Sequence, residues 1–169
     1  MSSFARGNRI FQVSDNASVE VLASATIPNI ANPEAAGIIT AETTSGCQTA
    51  SVVVRGVKKI DVFIDITAQS NATHLYVKFR FSDKASPNVA TPTDWGVVLI
   101  DKIDTTTGIS SVQEYMLKIP LDTVNGTANT NQDRRFVTRI TDISGIHASA
   151  LVWCDGAGTT GSVTFVRHS

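Results

Sequence analysis

Polar and apolar positions alternate most clearly between Lys58 and Ser82. In the run His74 to Phe81, Leu75, Val77, Phe79 and Phe81 fall on one face, and His74, Tyr76, Lys78 and Arg80 on the other. Just upstream, Ile60, Val62, Ile64 and Ile66 alternate with polar positions that include Asp61 and Asp65. A period of two over this length predicts two strands, each half-buried against a second layer. The linker Ala68-Gln69-Ser70-Asn71-Ala72 is short enough to join them as an antiparallel hairpin. The apolar rows are assigned to a core, and the polar row to water or a neighbouring subunit.

The same reading gives further strands at Arg9–Val13, Val19–Ala23, Ile38–Thr43, Ala50–Arg55, Gly96–Ile103, Ser111–Leu121, Arg134–Ile143, Ile146–Cys154 and Ser162–Arg167. Pro28 and Pro33 exclude a helix from the loop they punctuate, and Ala35-Ala36 beyond it allows one helical turn at most. Val97 to Ile100 reads as buried on both faces. Ser111–Leu121 alternates imperfectly, so a helix is the alternative there; Pro120 and the flanking turns favour a strand. Two long polar loops interrupt the strands, Asp83 to Asp94 before Trp95, and Asp122 to Asp133 before Arg134 and Arg135.

Many short strands, close turns and no long helix predict an all-β fold, an antiparallel β-sandwich. The chain has 169 residues, more than an immunoglobulin-type domain needs, which favours a jelly roll of two facing sheets. Residues 1–8 are read as an arm carrying Arg6, and residues 9–169 as a single domain. The predicted core is Ile60, Val62, Ile64, Leu75, Val77, Phe79, Phe81, Val98, Ile100, Ile140, Leu151 and Phe165.

Composition narrows the function classes. Charged residues make up 17% of the chain, below the roughly one quarter usual in globular domains, and the formal net charge is −1. Neither nucleic acid nor an anionic membrane is an expected partner, because each calls for a basic footprint. No apolar run approaches the roughly 20 residues that span a bilayer, and no apolar segment of signal-peptide type follows Arg6 and Arg9. Cys47 and Cys154 read as separate buried thiols, without the CxxC or Cys/His spacing of a structural metal site.

No catalytic motif stands out. Asp61 and Asp65 share a strand face, as a glycosidase pair could, but they are read as the solvated face of an amphipathic strand. His74, His147 and His168 have no mutual ligand spacing and are read as solvated. No Gly-x-Ser-x-Gly elbow occurs. Asp83 and Asp94 lack the dense acidic loop of a calcium site. The triplets beginning at Asn16, Asn71 and Asn125 are of the kind that arises by chance in a Ser/Thr-rich chain. The expectation is therefore a non-enzyme with no cofactor and no metal. Recognition is placed in the loops and the residues beside them, with Arg6, Asp83, Lys84, Trp95, Arg134 and Arg135 as the candidate interface. For Trp95, and more so for Trp153, core placement is the preferred reading, with the interface as the alternative.

The hairpin ending Tyr76-Val77-Lys78-Phe79-Arg80-Phe81-Ser82-Asp83, the long loop to Asp94-Trp95 and the finish from Ile146 to Val166 resemble small β-sandwich virion proteins of tailed bacteriophages. Capsid decoration, or cement, proteins are the nearest group. The resemblance implies a non-enzymatic jelly-roll protein, made in the host cytoplasm and carried on the virion. It implies a seat at junctions between subunits of the major capsid protein, as a homo-oligomer such as a trimer. The other expectation is a receptor- or carbohydrate-binding module of a tail or fibre. That module would need Tyr76, Trp95 or Trp153 exposed as a ring platform.

Overall fold

The computed structural model describes residues 17–33, 37–103, 110–121, 123–124, 127–128, 134–141 and 143–169. The expected arm at 1–8, with Arg6, lies outside them, as do the strand Arg9–Val13, the triplets' Asn16 and Asn125, and Ala35-Ala36. The described strands are β1 (Ala17–Thr26), β2 (Val52–Val53), β3 (Lys59–Ala68), β4 (His74–Ser82), β5 (Gly96–Val97), β6 (Leu99–Ile103), β7 (Ser110–Glu114), β8 (Met116–Pro120), β9 (Thr123–Val124), β10 (Thr127–Ala128), β11 (Arg134–Ile140), β12 (His147–Cys154) and β13 (Thr160–His168). One short helix, α1, spans Gly37–Thr43.

Two antiparallel sheets pack face to face. The first has the order β1-β13-β3-β11; the second has the order β2-β12-β4-β5, with β8 also on β4. From the chain's two ends inward, β1 pairs with β13, β2 with β12, β3 with β11, and β4 with β5 and β8. The β13–β3 and β12–β4 ladders complete the sheets. Two small ladders, β6–β7 and β9–β10, stand apart from these. The all-β sandwich expected from the alternation is what forms.

The core between the sheets follows the predicted rows. Ile60, Val62, Ile64 and Ile66 of β3 meet Leu75, Val77, Phe79 and Phe81 of β4, all buried. Phe79 and Phe165 tilt against each other across the two layers, with ring centroids 6.5 Å apart. Val98 and Ile140 are only partly buried at the margin of this core, and Leu151 lies in a different cluster. Val97 is half-buried too, so the expected two-sided burial of Val97-Val98 does not hold; the side chains of Leu99 and Ile100 lie outside the description. The Gly96–Ile103 and Ser111–Leu121 strands each break in two, at Val98 and at Tyr115, whose N–H donates to the Val98 carbonyl at 2.7 Å.

Two expectations fail. Ile38–Thr43 falls in helix α1, not a strand. β-branched residues favour strands locally, but here tertiary cover and end capping decide. Thr44 N–H and its hydroxyl both donate to the Thr40 carbonyl, at 2.8 and 2.7 Å, and the Gln48 amide reaches the Ala41 and Glu42 carbonyls at 3.2 and 2.9 Å. These contacts satisfy carbonyls that the helix end leaves open. Nor does the polar row of β4 face water: Tyr76, Lys78 and Arg80 are at most 2% exposed. Chain segments laid over the second sheet bury that row, so β4 and β12 are covered on both faces.

Candidate interaction surface

The first cover is made by residues 27–33 and 37–49. It joins β12 along an edge, with Cys154 N–H donating to the Pro28 carbonyl at 2.9 Å and Val152 N–H to the Cys47 carbonyl at 2.8 Å. Beneath it Ile30, Ala41, Cys47, Tyr76, Leu151 and Trp153 form a second apolar cluster. Tyr76 and Trp153 stack with centroids 5.7 Å apart, and the Trp153 indole donates to the Pro33 carbonyl at 3.3 Å. Lys78, fully buried, extends to Glu42 of α1 at 3.3 Å. Cys47 and Cys154 are buried free thiols, as expected. Burial, with a smaller effect from Cys154, raises the Cys47 thiol to about 11, so it is not a reactive nucleophile.

The second cover is the loop from Asp83 to Trp95, where three of the predicted interface residues sit. A 3-10 turn at Pro92–Asp94 delivers Trp95 over Arg80, whose guanidinium carbon is 4.9 Å from the ring centroid. The Trp95 indole donates to the Asn88 carbonyl at 2.8 Å, closing the loop on itself. Arg80 donates to the Val89 carbonyl and the Ser149 hydroxyl, at 3.2 and 3.0 Å, and burial lowers its pKa to about 10. Lys84 pairs with Asp94. Asp83 is exposed on the wall of a groove of about 530 Å³ shared with Phe81, Val97 and Ser144. Gly145, in the same wall, has φ +76°, and a Cβ there would lie 2.5 Å from the Ser82 carbonyl. Only glycine permits that approach, through which Ile146 N–H donates to the same carbonyl at 2.7 Å.

Arg134 and Arg135 lie elsewhere. On edge strand β11 they face Ile66 and Asp65, near the linker from β3 to β4, whereas Asp83 follows the opposite end of β4. The loop therefore brings Asp83, Lys84 and Trp95 together, and the arginines stand apart from them. The Arg134 side chain lies outside the description. Arg135 is exposed, reaches Asp65 at 3.3 Å through Nε and stacks on Phe63 at 4.8 Å. Two strand positions on, Val137 is 63% exposed. Arg139 then clamps Asp61 through Nε and Nη2, at 2.6 and 3.0 Å. Those hydrogen bonds, joined by one from His168, hold the Asp61 carboxyl at about 2.

Sequence reasoning missed Val137, Arg139 and Arg80 as surface or anchoring residues. The spacing of Arg135 and Arg139 matches that of Asp65 and Asp61, which is a cross-strand signal once the register is known. The histidines are also less free than expected. His147 Nδ1 lies 3.1 Å from the Lys84 carbonyl, and His168 Nε2 lies 2.9 Å from Asp61. His74 Nδ1 lies 3.0 Å from Asp155, which also accepts from the Thr73 hydroxyl and from the backbone N–H groups of Thr73 and His74. Burial acts to raise the Asp155 pKa, but these donors together outweigh it and lower it. The Thr73 hydroxyl lies 2.9 Å from His74 Nδ1, the same ring nitrogen that faces Asp155, so the cluster lacks the hydroxyl and carboxylate on opposite ring nitrogens that a triad has, and it acts as a clip between two turns. Among the described residues no group of three or more His, Cys, Asp or Glu side chains could hold a metal ion.

Comparison of the chain with protein-family models and with curated proteins finds no match to either.

Proposed function

We propose that this chain is a structural, non-enzymatic protein of a phage particle. In this reading it binds the outer capsid at junctions between major capsid subunits, as a homo-oligomer such as a trimer, and stabilises the shell. The strand pairing is the observation that carries it. Partners taken from the two chain ends inward, wound into sheets of order β1-β13-β3-β11 and β2-β12-β4-β5, support the jelly-roll reading. That architecture recurs in viral capsid and lectin domains. A ring-platform glycan module gains no support, since Tyr76, Trp95 and Trp153 are all under cover.

The test is to mix the purified protein with capsids assembled without it. Co-sedimentation and a higher rupture temperature are expected, and replacing Arg134 and Arg135 with Ala is expected to lower occupancy. A protein that neither co-sediments nor raises the rupture temperature ends the capsid reading. Unchanged occupancy of the double variant moves the contact away from β11.

A further inference from the structure

Sheet edges are where one chain can pair with another, and folded proteins shorten, bulge or charge them. Four edges here follow that rule. β1 carries two register shifts, between Glu20 and Leu22 and between Leu22 and Ala25. β2 and β5 are two residues each. β8 carries exposed Lys118 and ends on Pro120. β11 is charged by Arg134, Arg135 and Arg139 but is neither short nor bulged: seven residues in unbroken register with β3 on one side, and no strand on the other among the described residues. Alternate backbone groups along it therefore point away from the sheet.

The side chains around this edge are incomplete in the same direction. Val137 stands exposed at the strand's midpoint, and Phe136 and Ile140 on the inner side are only partly buried. Beside them, between the margins of the two sheets, lies a mainly apolar pocket of about 170 Å³ lined by Phe79, Val98, Tyr115 and Ile140, with Thr138, Arg139 and Thr141 as its polar members. On the outer side, Arg135 reaches its aspartate through Nε and Arg139 through Nε and Nη2, so each guanidinium keeps further N–H donors.

The occupant follows from the charges. If β11 paired antiparallel with a second copy about Val137, Arg135 would face Arg139 of that copy, and like charges directly opposite destabilise a sheet. An incoming strand with acidic residues at those positions meets the arginines favourably. We propose that the edge of β11 left unpaired by the described strands is a strand-addition site for an extended segment of a different protein, one whose outer face is acidic and whose inner face places an apolar side chain in the Phe79–Tyr115–Ile140 pocket. Main-chain hydrogen bonds supply affinity in this mode, and the pocket and charges supply selectivity. The inference stands apart from the capsid reading, since any protein with that pattern would fit.

A randomised peptide library of about ten residues, selected on the full chain, tests it. Amide hydrogen exchange with the strongest binder then locates the contact. Expected are binders alternating acidic and apolar positions, protection over 134–140, and binding weakened roughly tenfold or more by Val137→Glu. This variant changes an exposed residue and leaves the core alone. No binders, binders without the acidic alternation, protection elsewhere, or indifference to Val137→Glu would each overturn the proposal. A wild-type dimer in sedimentation that Val137→Glu returns to monomer would replace the foreign strand with a second copy.

Discussion

β3 and β4 are joined by a short linker and show the same alternation, yet their outer faces have opposite fates. On β3, Asp61, Phe63 and Asp65 stay half-exposed and meet Arg139, Val137 and Arg135 of the neighbouring strand. On β4, Tyr76, Lys78 and Arg80 disappear beneath residues 27–33 and 37–49 and beneath the Asp83–Trp95 loop. A polar row on a strand can thus be a surface or a third layer, and the alternation is the same in both. What differs is the chemistry of the partners. The outer face of β3 is matched by exposed charge pairs, each worth about 0–1 kcal/mol. The outer face of β4 is matched by a stacked indole, a buried ion pair and an arginine–tryptophan contact, which are costly to lose.

The contrast can be broken at several strengths. Trp153→Ala removes the largest side chain under the first cover and is expected to destabilise the fold by about 3–5 kcal/mol in chemical denaturation, against under about 1 kcal/mol for Arg135→Ala on the open face. Equal losses would mean that the cover contributes nothing. Glu42→Gln takes the countercharge from buried Lys78 and is expected to loosen the cover more than the sandwich. The readout is thiol labelling under native conditions: Cys47, beneath the cover, should react several-fold faster in the variant, with little change in the chemical-denaturation midpoint. A midpoint that falls in step with the faster labelling would show a single cooperative unit.

The smallest effect concerns acid. Asp61 has a pKa of about 2 in the fold, below that of an unfolded aspartate. Its stabilisation is therefore complete above about pH 4, the unfolded value, and is lost as pH falls through the folded one. Arg139→Ala is expected to flatten the dependence of the denaturation midpoint between about pH 4 and pH 2. An unchanged profile would assign the acid sensitivity to other carboxylates, of which Asp155 and Asp94 are also held low.

How much of this was legible depends on where each residue's partner lies. Ile60 to Ile66 and Val163 to Phe165 announce their strand by burial on one side, and their opposite faces are open, so the period of two suffices. Lys78 and Arg80 carry the composition of a wetted face, and only segments brought from Glu42 and from Val89 bury them. Ile38 to Thr43 carries a strand's composition, and the helix there is decided by Gln48 capping and by the sheet below. Of the candidate interface, Asp83, Lys84 and Arg135 are where the loops and strand ends suggested. Trp95 is an internal anchor, since its indole finds a backbone carbonyl and its face a buried guanidinium. The Asp155 clip joins residues 82 positions apart, a distance over which local pattern carries no information.

The pairing of β1 with β13 and of β2 with β12 also has a consequence in time. Ribosomes deliver β1 and β3 well before β13, so the first sheet has neither its outer ladder nor its β13–β3 seam until β13 has been made. During synthesis β3 and β4 can meet as neighbours through their apolar rows, but their ladder partners β8, β11, β12 and β13 do not yet exist. Such distant closures make folding slow, and they leave unpaired edges open to wrong neighbours. A chain halted before Thr160 would therefore be held back from the native sandwich, however much of its sequence had already emerged.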